Sequence, residues 1–188
     1  TAYEIPKRDW SSDVCSSDLG VTDTEIHIGA LGQLNGPFAF IGAPGRDNIQ
    51  LAVEKLNEAG GVNGRKLRLT FEHAATPAES VAAAKKLVEN DRVFTLIISS
   101  GSTGAAAAAD YVRGAQIPTY NTVGATPIIR NPFARNIFHG SIPDAGCSGQ
   151  GMIDVAFKAK PTTKKIGILA GTYARSEEHT SELQSRFG

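Results

Sequence analysis

Net charge, sulfur and long apolar runs are all scarce in this chain. Its 188 residues carry 19 Lys+Arg against 19 Asp+Glu, a formal net charge of zero. That balance leaves no electrostatic footprint for nucleic acid or for a strongly acidic partner. Two cysteines, Cys15 and Cys147, allow at most one disulfide and no zinc site. No apolar run approaches the ~20 residues needed to span a bilayer. Catalytic signatures are missing as well. His27, His73 and His139 fall outside metal-ligand spacing, and Gly61–Lys66 lacks the order of a phosphate loop. Gly101-Ser102-Thr103-Gly104 is not a dinucleotide fingerprint. No G-x-S-x-G elbow occurs. Glu72, Glu79 and Glu89 are accounted for by a solvated face or a helix cap. The expectation is a protein that is not an enzyme and takes no cofactor and no metal. Its length suggests one domain, or one domain and part of a second.

The two ends read differently from the middle. Arg175-Ser176-Glu177-Glu178-His179-Thr180-Ser181-Glu182-Leu183-Gln184-Ser185 resembles one reading frame of an adapter used in short-read DNA sequencing, and Thr1–Leu19 resembles the same kind of sequence read from the opposite strand. Natural polar tails are the alternative. On the adapter reading, segments 1–19 and 175–188 stand outside the fold, Cys147 has no partner, and the gene is truncated at both ends. The remaining segment, 20–174, holds 15 Lys+Arg and 12 Asp+Glu, a formal charge of +3. It lacks its own beginning, so a missing signal peptide says nothing about compartment.

Within that segment, strand and helix patterns alternate. Glu25–Leu31 reads as a first strand, followed by a Gly/Pro-rich loop, Gly32–Gly45. Arg46–Ala59 places Ile49, Ala52, Val53 and Leu56 on one helical face, and Gly60-Gly61 ends it with a left-handed cap. Asn63-Gly64 marks a tight turn, and Lys66–Glu72 has the strict period of a half-covered strand. Thr76-Pro77-Ala78-Glu79 is a capping box with proline at the first helical position, opening a helix to about Asn90 that buries Val81, Ala84 and Leu87 or Val88. Val93–Ile98 is a third strand and Ala105–Arg113 a third helix, stopped near Gly114. Short strands follow at Ile117–Asn121 and Asn136–His139. Asp144–Lys158 reads as a helix capped by Asp144 with Met152, Val155 and Ala156 in the core, and Lys164–Ala170 as a last strand. This alternation predicts an α/β fold with a doubly wound parallel sheet.

Two hydroxyl- and glycine-rich turns stand out, Ser99–Gly104 and Thr122–Pro127, each at the carboxyl end of a strand and before a helix. Ligands of open α/β sheets bind at such ends. Free N–H groups at a helix start, with hydroxyls beside them, hold a carboxylate without reacting with it. The residues equally allow Ser102, Thr103 and Thr126 to do no more than cap helices.

Several patterns together resemble the periplasmic solute-binding proteins for branched-chain and related amino acids. Gly36-Pro37-Phe38-Ala39-Phe40-Ile41-Gly42 is similar to the S-G-P-x-A-x-x-G loop of that family, with Asn35 in place of its serine. Gly20–Gly29 looks like the family's first mature residues. Asn57-Glu58-Ala59-Gly60-Gly61-Val62-Asn63-Gly64-Arg65 matches the end of its first helix and the following turn, and Ala125-Thr126-Pro127 resembles its second ligand loop. The resemblance implies an extracytoplasmic receptor, periplasmic where there is a periplasm, that feeds an ABC transporter permease. It implies two α/β lobes closing on an amino-acid-like ligand, with lobe one here at 20–142 and the start of lobe two at 143–174. Carried over by position, Ser102 and Thr103, with Ser100 in reserve, would hold the ligand from the first turn. Gly124 and Thr126 would do so from the second, while Phe38, Phe40 and Ile41 would form the cleft rim. Family chains are more than twice as long, so the lobe-two contacts are not in this sequence. A ligand-sensing receptor or regulator of the same fold is the alternative function, and a nucleotide-dependent enzyme a more distant one.

Overall fold

A computed structural model of the chain describes residues 20–123, 129, 131–140 and 145–162. The architecture within these bounds is α/β. β1 (Glu25–Gly32) leads into α1 (Ala39–Glu58), β2 (Lys66–His73), α2 (Pro77–Lys85), β3 (Thr95–Ser99), α3 (Gly101–Ala115), β4 (Thr119–Asn121), β5 (Ile137–His139) and α4 (Ala145–Ala159). The five strands form one sheet in the order β2-β1-β3-β4-β5, every neighbouring pair parallel. The expected last strand at Lys164–Ala170, the capping residue Asp144, and both ends of the chain lie outside the described residues.

Alternation sorts the sheet into two faces. Leu31, Leu96 and Ile98 point into a core closed by α2 and α3 through Ala84, Leu87, Ala105, Ala108 and Val112. On the opposite face, Phe71, Ala30, Ile97, Tyr120 and Phe138 share one register row across all five strands. α1 covers the β2–β1–β3 end of that row, while Tyr120 and Phe138 are exposed.

Local chemistry accounts for most boundaries. Thr76 accepts a bond from the Glu79 N–H, and the Glu79 carboxylate accepts from the N–H groups of Ala75 and Thr76, so the capping box is complete. The last turn of this helix widens into a π-type turn, Lys86–Asn90. Gly60 and Gly61 adopt φ of 103° and 82°, the left-handed cap that ends α1, and Asn63-Gly64 makes the tight turn into β2. The outer edge of β2 is closed by a side chain: Asn57 donates to the Leu67 carbonyl and accepts from the Leu67 N–H, at 2.8 and 2.7 Å.

Three helical expectations are corrected. α1 begins at Ala39, not Arg46, and carries Pro44 inside it. Gly42 and Gly45, which read as loop, are packing positions: a Cβ on Gly42 would lie 1.9 Å from the Gln33 carbonyl oxygen, and one on Gly45 would lie 3.0 Å from Ser99 Oγ. Of the expected α1 face, Val53 is buried and Ile49 half-buried, while Ala52 and Leu56 are exposed, because the helix leans on the sheet along a narrower stripe. α3 ends near Gly114 as expected, at Ala115 with Gln116 at φ 59° as its left-handed cap, but it begins at Gly101 rather than Ala105. In α4 the expected core residues face water, Met152 at 73% and Val155 at 66% exposure with Ala156 also exposed, and the half-buried positions are Ile153 and Phe157.

Candidate ligand-binding site

The strand order defines where a ligand would sit. From β1 the chain steps outward to β2, then crosses back over β1 to β3 on its other side. The carboxyl ends of β1 and β3 therefore part into oppositely directed connections, which is the topological switch point of a doubly wound sheet. Three strands end level there, with His73, Gly32 and Ser99 side by side in register.

Ser100 and Gly101 form the floor of this crevice. Ser100 occupies the N-cap position of α3, with φ −99° and ψ 13°, and its side chain makes no capping bond. Its Oγ is buried and has no hydrogen-bond partner among the described residues. Gly101 has φ +75°, a conformation that glycine adopts at little cost. That single residue turns the chain from β3 into α3. The helix therefore starts at Gly101 rather than at Ala105, and Ser102 and Thr103 stand in its first turn. Serine and threonine cost little there, because the first N–H groups of a helix have no intrahelical partner. Ser102 is half-buried and Thr103 exposed. Gly104 presses the turn inward, since a Cβ on it would meet Ser80 Oγ at 2.5 Å and Ser100 Oγ at 2.6 Å.

The β1–α1 connection supplies a second helix start at this end of the sheet. Phe38 precedes α1 and Phe40 lies in its first turn. Their rings pair at 6.2 Å between centroids, tilted by 38°, with Phe40 exposed at 69%. Ile41 is half-buried beside them. Ser100, Ser102 and Thr103 thus share one helix start, and Phe38 and Phe40 share another, both at the carboxyl end of the sheet. Gly124 and Thr126 lie outside the described residues.

Further polar residues line this end, of which Gln33 and Asn121 belong to no motif in the sequence. Gln33, Ser99 and Asn121 are buried polar groups at the tips of β1, β3 and β4. The Leu34 N–H donates to His73 Nδ1 at 3.0 Å, which leaves the proton of the neutral ring on Nε2. Asn121 Nδ2 lies 3.3 Å from His139 Nδ1, and Thr122 Oγ1 donates to the Ile98 carbonyl at 3.1 Å. Their common signal is position: each is the last residue or two of an apolar strand. None of the described turns at this end, 33–38, 99–104 and 121–123, holds an acidic or basic residue. The site therefore offers neutral donors and a helix N-terminus, a chemistry suited to holding a carboxylate by hydrogen bonds.

A doubly wound lobe with neutral donors at its switch point defines a ligand-binding α/β fold, and the comparisons name its family. The model of the family described as periplasmic binding protein matches residues 25–184, and the chain belongs to that family. A Leu/Ile/Val-binding protein homolog 7 of Brucella abortus is 26% identical over 117 residues, which is 62% of this chain and 29% of that protein. A leucine-, isoleucine-, valine-, threonine- and alanine-binding protein of Pseudomonas aeruginosa is 38% identical over 81 residues, 42% of this chain and 21% of that protein. Among solved structures, a solute-binding protein of an ABC transporter from Rhodopseudomonas palustris BisB5, in complex with 3,4-dihydroxybenzoic acid, superposes with a TM-score of 0.72 at 25% identity. That superposition covers 87% of this chain and 44% of the other. The chain thus spans less than half the length of each of these relatives. The family and the fold are those of binding proteins rather than enzymes. No helix among the described residues is long and apolar enough to cross a membrane.

Proposed function

We propose that this chain is the first lobe of the substrate-binding component of an ABC transporter. It binds a small carboxylate, a branched-chain or related amino acid or an aromatic acid, in a cleft that a second lobe completes. The observation that carries the reading is Ser100 Oγ, buried at the N-terminus of α3 without a hydrogen-bond partner among the described residues. Burying an unmet hydroxyl costs about 1–3 kcal/mol, and a ligand oxygen arriving at that point removes the cost. The helix N-terminus adds electrostatic preference for an anion. Ser102 and Thr103 add donors in the same turn, Gly124 and Thr126 add theirs from the second turn, and Phe38 and Phe40 shield the ligand's side. The relatives' names and the bound benzoate of the Rhodopseudomonas protein support carboxylates of both kinds. Residues 143–174 open the second lobe, and closure of the two lobes traps the ligand. The proposed setting is extracytoplasmic, with the transporter's permease as partner, and no reaction is catalysed.

The test is an amide chemical-shift titration of the labelled chain with leucine, alanine, benzoate and 4-hydroxybenzoate. One lobe holds half the contacts, so weak, saturable shifts are expected, centred on the amides of 100–104. Absence of shifts for every member of the panel, or shifts mapping away from the carboxyl end of the sheet, would overturn the reading.

A further inference from the structure

At the amino-terminal side of the sheet, away from the ligand crevice, His27 of β1 is buried among groups that make opposite demands on one of its nitrogens. Its Nδ1 lies 2.8 Å from Arg68 Nη2, a donor, and 3.1 Å from the Asp91 carbonyl oxygen, an acceptor. Its Nε2 lies 2.7 Å from Thr70 Oγ1, which serves as either donor or acceptor. An imidazole nitrogen carries either a lone pair or a proton, so Nδ1 satisfies one of these neighbours at a time. The charged groups acting on the ring are Arg68 on β2, Asp91 in the connection to β3 and Glu25 on the same strand, with Lys86 of the π-type turn and Glu72 of β2 one step further out through Asp91. Arg68 has a second partner in Glu25, and Lys86 pairs with Glu72 while standing 3.9 Å from an Asp91 carboxylate oxygen.

We infer that His27 is a two-position proton switch. Neutral, it accepts the Arg68 N–H at Nδ1 and donates from Nε2 to Thr70. Protonated, it donates from Nδ1 to the Asp91 carbonyl and leaves Arg68 to Glu25 alone. The step moves one solvent proton onto Nδ1 and exchanges one hydrogen bond for another, with no other bond made or broken. What it acts on is the connection 91–94, already pinned to the same residue through its backbone, where the Phe94 N–H donates to the His27 carbonyl at 2.8 Å. Burial, and then the charge of Arg68, hold the ring's proton affinity below its ordinary value of 6.5, so the neutral position is the resting one.

Long-range proton–nitrogen correlation spectra of the imidazoles in the labelled 188-residue chain test this, with His27 assigned by comparison with His27→Gln. At about pH 8 the expected species is the Nε2–H tautomer, converting to the doubly protonated ring with a midpoint under 6.5, together with a shift of the Arg68 Nε signal. In Arg68→Met the neutral ring moves to the Nδ1–H tautomer, facing Asp91, and the midpoint rises. An Nδ1–H tautomer in the unaltered chain, or a midpoint at or above 6.5, overturns the switch without recourse to any variant. So does an Arg68→Met chain in which tautomer and midpoint stay where they were.

Discussion

Gly104 stands against Ser100 so closely that a methyl group on it would come within 2.6 Å of the serine's Oγ. The bare face of α3 is what lets the serine sit at the base of the crevice. In Gly104→Ala the new methyl meets both Ser100 and Ser80, whose hydroxyl is already committed to the Thr76 carbonyl. Overpacking of this kind costs about 1–3 kcal/mol, against which alanine's better helix propensity returns up to about 1 kcal/mol. The expected outcome is a lower thermal midpoint and loss of ligand-induced shifts at 100–104, read by calorimetry and by the same amide titration.

Ser100→Ala separates binding from stability. Removing a buried hydroxyl that has no partner among the described residues leaves the fold unchanged or up to about 1 kcal/mol more stable, while the ligand loses a hydrogen bond. Denaturant unfolding and the titration, run on one sample, decide this. A clear drop in stability would show that the hydroxyl is satisfied within the chain.

The start of α2 depends on a reciprocal pair. Thr76→Ala is expected to destabilise the chain by about 1 kcal/mol in urea unfolding, the usual size for a lost N-cap. Glu79 sets the pH dependence of the same cap. The Ala75 N–H, then the Thr76 N–H, hold its carboxyl below the ordinary 4.5. Its contribution is therefore complete above that value in the unfolded chain and disappears as pH falls through the lower value of the folded one. Glu79→Gln flattens that acid limb relative to the parent.

At the sheet's outer edge, Asn57 takes the place of a neighbouring strand for Leu67. Asn57→Ala strips two hydrogen bonds and bares a donor and an acceptor on β2. A loss of about 1–3 kcal/mol is expected, together with faster aggregation at equal concentration, since an open edge recruits other strands. Unfolding curves and light scattering measure the two effects separately.

His27 adds a second acid-sensitive contribution of the same sign as that of Glu79, set in a higher pH range. Its folded proton affinity lies below the ordinary 6.5, first from burial and then from Arg68. Above that ordinary value neither state binds the proton and stability is unaffected. As pH falls below it, the unfolded chain takes up the proton first and stability declines, until the folded ring is protonated too. The difference in unfolding free energy between the parent and His27→Gln, followed downward from about pH 8, should therefore change only below the ordinary value.

Most of the sheet was legible because its strands are written either as apolar runs, as at Thr95–Ser99, or as strict alternation, as at Lys66–His73. Glu25–Leu31 and Lys66–Glu72 each fall one residue short of the observed strands, and the Thr76–Glu79 cap was explicit in four letters. The helix starts were less legible. Gly42, Gly45, Gly101 and Gly104 spell loop by composition, yet three of them are glycine to let backbone or a serine approach, and Gly101 alone is there for its φ. In α4, periodicity placed Met152, Val155 and Ala156 on a helix but could not tell which side of it meets anything. Among the candidate site residues, Ser100, Ser102 and Thr103 stand out in the sequence as a hydroxyl cluster. Gln33 and Asn121 carry no motif, only a place at the end of a strand.

The strand order has a consequence for how the molecule assembles. β1 is hydrogen-bonded on both sides, and neither partner is its immediate successor by a hairpin. β2 lies some forty residues downstream and β3 about seventy. No two strands among the described residues close a short loop, so chain entropy is lost before any ladder forms, and β1 waits longest for its second neighbour. During synthesis, β1 emerges early and stays half-paired until Ser99 has left the ribosome, with α1 as its nearest cover.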